Sequence, residues 1–359
     1  MRKKMWKQMV AVSVAAGMMA MSLAGCQNTD TPESAAVPEA GDTSAEAGGF
    51  EEMTIKLGHG SSPADDDPYH ILAMNFKENV EEATGGKVTV EIFPSGQLGG
   101  EMDSYEGLGM GTVDMCIATA NIFGLYDERT TIMDMPFLLQ DEESAQKLLD
   151  SDLIQGVLEE LSDTTGAVHL GFGSGGFRHI FNNVRPIYKP EDLKDVKLRV
   201  PETTIFVDTF AALGANVTPM TYSETYTGIQ QKTIDGIEVP IGNGYTVGYY
   251  EVCDYLSLTR HFYNALSLSI SKSLYDGMSP ELQQILKDAA VKAGQDQRIS
   301  VAENEAGQLE AMKESGIQVN EIDDVEQFRA LVQPIYDNYR DNISADIYSQ
   351  AMEILGIEE

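Results

Sequence analysis

From Glu281 to Ser315 the chain runs through strong helix formers without a single proline. At a rise of 1.5 Å per residue such a helix is about 50 Å long. One small lobe cannot flank a helix of that length, so the segment calls for a body of two lobes with one helix laid across both. Gly294 and Gly307 are the places where it would kink. The length of the chain agrees. About 310 residues remain after the N-terminal features described below, more than one comfortable core holds.

Short apolar strands alternate with amphipathic helices, the pattern of α/β layering. Strands are expected at 54–57, 88–93, 113–118, 168–172, 197–200, 216–218, 234–239 and 266–271. Helices are expected at 69–83, 142–161 and 204–213, and most of the last third is helical. One segment echoes another. Tyr105, Gly107, Thr112 and Asp114 recur in the same spacing as Tyr226, Gly228, Thr233 and Asp235. In both places a helix hands over to a strand through a Thr-apolar-Asp step, which indicates two related halves. The matched aspartates are expected to be structural.

The N-terminus carries Arg2, Lys3, Lys4 and Lys7, then an apolar run from Met9 to Leu23, then Leu23-Ala24-Gly25-Cys26. The run is too short to span about 30 Å of hydrocarbon comfortably, so residues 1–25 read as a secretory leader. Cys26 at the cut site is the acceptor for a lipid in bacterial lipoproteins. Residues 26–51 then form a tether. Its Ala, Pro, Ser, Thr, Gly and acidic residues cannot bury a core, and they reach about 25 Å as a flexible chain. The folded part is expected outside the cytoplasm, held near the membrane by lipidated Cys26.

The formal charge of −33 becomes still more negative once the leader is removed. That excludes nucleic acid as a natural partner. An anionic ligand would have to be held by locally placed cations against this field. Cys116 and Cys253 sit in apolar patterns without metal-ligand spacing and read as small buried hydrophobes. His59, His70, His169, His179 and His261 show no metal spacing either.

No enzyme signature survives its context. Gly171-Phe-Gly-Ser-Gly-Gly176 satisfies the dinucleotide pattern, but the residues after it alternate like a strand instead of opening a helix. A glycine-rich stretch between two strands reads better as an interlobe hinge. There is no nucleophile elbow, zinc-protease motif or phosphate loop. The expectation is a binding protein without a cofactor or metal, not an enzyme.

Gly96-Gln-Leu-Gly-Gly-Glu101, Lys197-Leu-Arg-Val-Pro201, Leu213-Gly-Ala215 with Pro219-Met220, and Ile234-Asp-Gly-Ile-Glu-Val-Pro240 resemble the DctP-type substrate-binding proteins of tripartite ATP-independent periplasmic (TRAP) transporters. The resemblance runs in one consistent order from about Thr54 to the C-terminus. It implies an α/β fold of two lobes like the periplasmic binding proteins, each a mixed sheet flanked by helices, with a long helix spanning both. Lobe I is expected over 52–176 and 264–304, and lobe II over 177–263 and 305–359. The implied partners are a small organic acid and the small and large membrane subunits of a TRAP permease.

The resemblance also implies a site. Arg199 occupies the position of a strand-borne arginine that pairs with the ligand carboxylate, a role its planar, permanently charged fork suits. Arg178 matches a second arginine near the ligand, and Tyr222 an aromatic ring against it. Glu101 and Thr119 face the cleft from the first lobe. Members that bind sialic acid carry Asn where this chain has Val239 and Glu where it has Thr119, so sialic acid is disfavoured. A hexuronate, an aldonate or a C4-dicarboxylate stays open, with Asn182, Asn183, Asn243 and Tyr245 as further contacts. The rival classes are an ABC-type binding lipoprotein, a ligand-presenting subunit of a sensor kinase and a surface hydrolase.

Overall fold

The computed structural model describes residues 49–357, so the leader, Cys26 and nearly all of the tether lie outside the described residues. The first half of the frame runs β1 (Met53–His59), α1 (Pro68–Ala83), β2 (Val88–Phe93), α2 (Glu101–Met110), β3 (Met115–Thr119). Two 3-10 turns follow, Ala120–Leu125 and Glu128–Asp134, then α3 (Glu142–Leu149), α4 (Asp152–Thr165) and β4 (Ala167–Asn182). The second half repeats the plan: β5 (Lys197–Val200), α5 (Thr204–Ala212), β6 (Asn216–Pro219), α6 (Tyr222–Gln230), β7 (Gly236–Pro240). The chain closes with α7 (Ile241–Thr246), β8 (Tyr255–Leu258), β9 (Tyr263–Ser271), α8 (Lys272–Asp276), α9 (Pro280–Ser315), β10 (Gln318–Glu321), α10 (Val325–Ile343) and α11 (Ala345–Leu355).

The repeated Thr-apolar-Asp step builds the same joint twice. Gly107 O accepts from Thr112 N at 2.9 Å, and Gly228 O accepts from Thr233 N at 3.0 Å. The threonine hydroxyls donate to the same two carbonyls. Asp114 Oδ2 then accepts from Lys56 N at 3.0 Å, while Asp235 Oδ2 accepts from Lys197 N at 2.9 Å. Both aspartates are structural, as the sequence predicts. Each joint fixes the third strand beside the first, giving parallel orders β2-β1-β3 and β6-β5-β7.

Two long strands cross between the halves. β9 lies antiparallel between β3 and the first part of β4, whereas Arg178–Asn182 of β4 pairs with β7 on one side and β8 on the other. The glycine-rich segment therefore does not separate two strands; it lies inside one strand of 16 residues that serves both sheets. The register with β9 shifts between Ser174 and Phe177, and Gly176 takes φ 87° there. A bulge of this kind re-aims a strand, and glycine supplies the positive φ at no steric cost.

The helix expected over 142–161 is two helices. Ser151 Oγ accepts from Ile154 N at 3.3 Å and starts α4, and the preceding Asp150 is held by Arg298 at 2.7 and 3.0 Å. A serine that can cap competes with helix continuation, and here the cap wins.

α9 is helical over all 36 residues. Leu286, Ala290 and Ala293 pack into the first core with Phe76 and Leu266, while Met312 packs into the second with Phe181, Ile237 and Tyr249. Between them, Gly294 touches the crossing strand: a Cβ there would lie 2.1 Å from Phe172 O. The close approach of that strand is what requires glycine here. Cys116 and Cys253 are free and buried, and burial pushes the Cys253 thiol up to about 12.

Candidate ligand-binding site

Arg199 points to the opposite face of β5 from Leu198 and Val200, which are wholly buried. Strand alternation dictates this: two apolar neighbours fill the core and the residue between them meets the seam between the sheets. Arg199 is only 4% exposed, yet among the described residues it makes one hydrogen bond, Nε to Met220 O at 2.8 Å. Its guanidinium lies 5.8 Å from the centre of the Tyr222 ring. Burial pulls its pKa down, partly offset by the charge of Glu238. Both terminal nitrogens stay available to a ligand.

Arg178, where β4 enters the second sheet, is in the opposite condition. It donates Nε to Glu238 Oε2 at 2.5 Å, Nη2 to Glu238 Oε1 and to Glu238 O at 2.7 Å each, and Nη1 to Asn264 Oδ1 at 2.5 Å. Burial alone would raise the fully buried Glu238. The Arg178 charge and the hydrogen bonds from Arg178 and His261 hold it below the ordinary carboxylate range instead. One N–H of Arg178 remains uncommitted, so it is chiefly the partner of Glu238.

The first half contributes acceptors. Glu101, the first residue of α2, accepts from Tyr69 OH at 2.8 Å and from Thr119 Oγ1 at 2.7 Å. Asn243 of α7 donates Nδ2 to Ser61 Oγ at 3.1 Å, which ties the two halves together. Among the described residues its Oδ1 is buried without a partner, and the hydroxyl of Tyr222, the first residue of α6, has only the Tyr249 hydroxyl near it.

These residues line one cavity of about 40 Å³ at the seam of the sheets. Arg199, Arg178, Tyr222, Glu101, Thr119, Val239 and Asn243 all border it, so the seven site residues named from the sequence come together. Sequence reading missed Tyr69, Asn264, Pro201 and Pro240. An Asn in the otherwise apolar Tyr263–Leu266 stretch was a signal for Asn264; Tyr69 follows a helix cap and carried none. Asn182, Asn183 and Tyr245 lie elsewhere. Asn182 Oδ1 accepts from Val184 N and Arg185 N, Asn183 bonds Val252 O and Asp254 N, and Tyr245 stacks on Tyr250 at 5.7 Å. The cavity opens into a groove of about 460 Å³ that shares Glu101, Arg199, Pro201 and Tyr222 with it.

Such a site offers one buried cationic fork, a carboxylate and a carboxamide oxygen that can accept hydroxyl protons, and a phenol that can donate. A second carboxylate on a ligand would face Glu101 with no spare cation to meet it.

The profile of bacterial extracellular solute-binding proteins, family 7, matches residues 59–342. The 2,3-diketo-L-gulonate-binding periplasmic protein of Escherichia coli is 32% identical over 307 residues, covering 86% of this chain and 92% of that protein. Among solved structures, the sugar acid binding protein of Advenella mimigardefordensis in complex with galactonate superposes with a TM-score of 0.81. It is 28% identical, over 86% of this chain and 99% of its own. A TRAP periplasmic solute binding protein of Polaromonas sp. JS666 bound to D-erythronate also reaches 0.81, at 32% identity over 86% and 100%.

Proposed function

The chain belongs to the DctP family, the extracytoplasmic solute-binding proteins of TRAP transporters, and from that premise we propose that its ligand is a small hydroxylated monocarboxylate. It captures the acid at the seam of its two lobes and hands it to the membrane subunits of a TRAP permease. The observation that carries the proposal is Arg199: a buried guanidinium with a single protein acceptor, in a cavity whose second arginine is already paired. Desolvated, that fork is matched by a carboxylate bound through two parallel N–H···O bonds. Asn243 Oδ1, without a partner among the described residues, asks for a hydroxyl group on the same ligand, the Tyr222 phenol in the cavity lining can meet another, and Glu101 weighs against a dicarboxylate. The relatives named for diketogulonate, galactonate and erythronate are consistent with that chemistry.

Lobe I comprises 52–176 with 264–304, and lobe II 177–263 with 305–359; the register shift at Ser174 to Phe177 supports a boundary there. A 40 Å³ cavity is smaller than a drug-sized pocket of about 300 Å³ or more, so the lobes part to admit the acid and close on it. Cys26 carries the lipid anchor, and Cys26→Ala should release the protein from membranes; a variant still sedimenting with membranes in high salt would overturn this.

Calorimetric titration with aldonates, C4-dicarboxylates and the amide of the best-bound acid tests the ligand assignment. An aldonate should bind, with the amide weak and the dicarboxylate weaker. Equal affinity for acid and amide would remove Arg199 from the role.

A further inference from the structure

Beside the mouth of the cleft lies a second cavity, of about 250 Å³, between the two 3-10 turns, the start of α5 and the end of α10. Its charged lining is wholly acidic: Glu128, Asp134 and Asp208, with no Lys, Arg or His. Amide and hydroxyl groups, Asn338 and Thr203 among them, make up much of the rest. Asp208 is already engaged, accepting from Tyr339 OH at 2.9 Å. Asp134 is not: it is 5% exposed, and no described residue donates a hydrogen bond to its carboxylate. Thr203 Oγ1, in the same lining, is buried without a partner among the described residues. A buried carboxylate with no donor is costly unless a proton or a cation meets it. Burial, opposed by the Arg178 charge, holds Asp134 up at about 7.

The kind of cation follows from the donor set. Among the described residues no three His, Cys, Asp or Glu stand close enough to hold a metal ion. One unengaged buried carboxylate, with the Asp208 and Glu128 carboxylates and neutral oxygen acceptors in the same lining, suits an ammonium group, whose three N–H donors spread over such a set. We propose that this cavity is a second binding site, for a small organic ammonium cation seated on Asp134. Asn121, Leu125 and Thr203 line both this cavity and the groove leading to Arg199, so the cation enters by the mouth that the organic acid uses.

The test is calorimetric titration of the purified protein with methylammonium and 1,4-diaminobutane chlorides, against sodium and potassium chlorides at matched ionic strength, for wild type and Asp134→Asn. Thermal unfolding is followed in parallel. Wild type should show saturable binding of at least one ammonium salt and a matching rise in midpoint. Asp134→Asn should bind at least tenfold more weakly while keeping its affinity for the organic acid. The informative thermal quantity is the shift on adding cation, since removing an unpaired buried charge changes the midpoint by itself. Should Asp134→Asn not fold, the wild-type titration decides alone. Absence of saturable ammonium binding, an equal response in the variant, or sodium or potassium binding as well as ammonium would each overturn the proposal.

Discussion

The two halves of the frame are built alike and charged differently. The Asp114 and Asp235 joints place Lys56 of β1 opposite Lys197 of β5, and the pairings Gly58 to Cys116 and Arg199 to Ile237 continue that register. The first-half counterpart of Arg199 is therefore Gly58, whose missing side chain leaves room for Leu98: a Cβ there would lie 3.1 Å from Leu98 Cδ1. In the same register Glu101 of α2 corresponds to Tyr222 of α6, and Thr119 to Pro240. Equivalent positions face one cavity from two sides, the first half supplying the Glu101 carboxylate and the second the Arg199 guanidinium. The repeat makes the scaffold, and the departures from the repeat make the site.

The largest effect should come from breaking the cationic half at its two arginines, which are expected to fail in different ways. Arg178→Ala strands Glu238 in a fully buried position, and removing one partner of a buried pair costs about 3–5 kcal/mol of stability. Arg199→Ala removes one hydrogen bond from the fold but the whole fork from the ligand. Affinity should fall by about 2–5 kcal/mol with only a small change in unfolding midpoint, and Arg199→Lys should lie between Ala and wild type. Denaturant melts and titrations of both variants check the division. Large stability loss in Arg199→Ala with unaltered affinity would place it in the scaffold.

Each half also buries histidines, and acid should act on both. Burial holds His59 and His169 down at about 3 and His179 well below its usual value, with a neighbouring positive group adding to each. Unfolding near pH 5 lets these three take up protons, so they favour the unfolded chain as pH falls below about 6.5. Asp67, raised to about 6, and Asp134, raised to about 7, oppose this, because burial makes them hold protons when folded that they lose when unfolded. His70 and His261 are also held below the ordinary value, so the histidines outnumber these two acids and stability should fall as the pH drops from about 6.5 toward 5. Urea midpoints from pH 7 to pH 4.5 read the slope directly. A flat or rising profile would mean the histidines are charged in the fold.

α9 offers a sharper comparison, since it passes through both halves with one glycine in each. Gly294→Ala drives a Cβ into Phe172 O, and backbone cannot step aside as a flexible side chain would. It should cost about 1–3 kcal/mol or more. Gly307 meets nothing within 4 Å, so Gly307→Ala should stabilise by about 0.5–1 kcal/mol through helix propensity alone. The two substitutions should move thermal midpoints in opposite directions, and a like sign would mean the helix does not lie on β4 as described.

Legibility in the sequence followed the range of the interaction. β2 at 88–93 and β5 at 197–200 were read to the residue, and the long helix to within one, because local patterning and capping decide them. The Thr-apolar-Asp echo carried the internal repeat, since the turn that opens each joint closes locally, Thr112 N on Gly107 O and Thr233 N on Gly228 O. Non-local choices were not written locally. The strand through Gly171 to Gly176 serves two sheets because β9, about a hundred residues away, holds its first part and β7 its second. The partner of Arg178 lies 60 residues on, at Glu238, and so its ion pair could not be assigned. Asn182 and Asn183 read as ligand contacts by polarity alone, whereas Asn182 Oδ1 is spent on the turn that follows it and Asn183 is spent on Val252 and Asp254, about 70 residues away. The cavity residues Arg199 and Tyr222 were found because they stand in recognisable local runs; Tyr69 became visible only once α1 was packed beside Glu101.

The smallest expected effect tests the equivalence of the halves itself. Asp114 and Asp235 each accept one backbone N–H from the first strand of their own half, at 3.0 and 2.9 Å, in settings that are partly open to solvent. Losing one such bond costs about 0.5–1.5 kcal/mol. Water can replace the acceptor here, so the full penalty of a buried orphan donor does not apply. Asp114→Ala and Asp235→Ala should therefore destabilise by the same amount within about 0.5 kcal/mol. Because the two joints lie on opposite sides of β9 and β4 in the strand order and share no partners, the double variant should show the sum. Chemical denaturation of the two single variants and the double measures this, with Asn substitutions as milder controls that keep an acceptor in place. Costs differing by more than about 1 kcal/mol would show that one joint carries load the other does not, and the resemblance between the halves would then be one of shape without a shared energetic design.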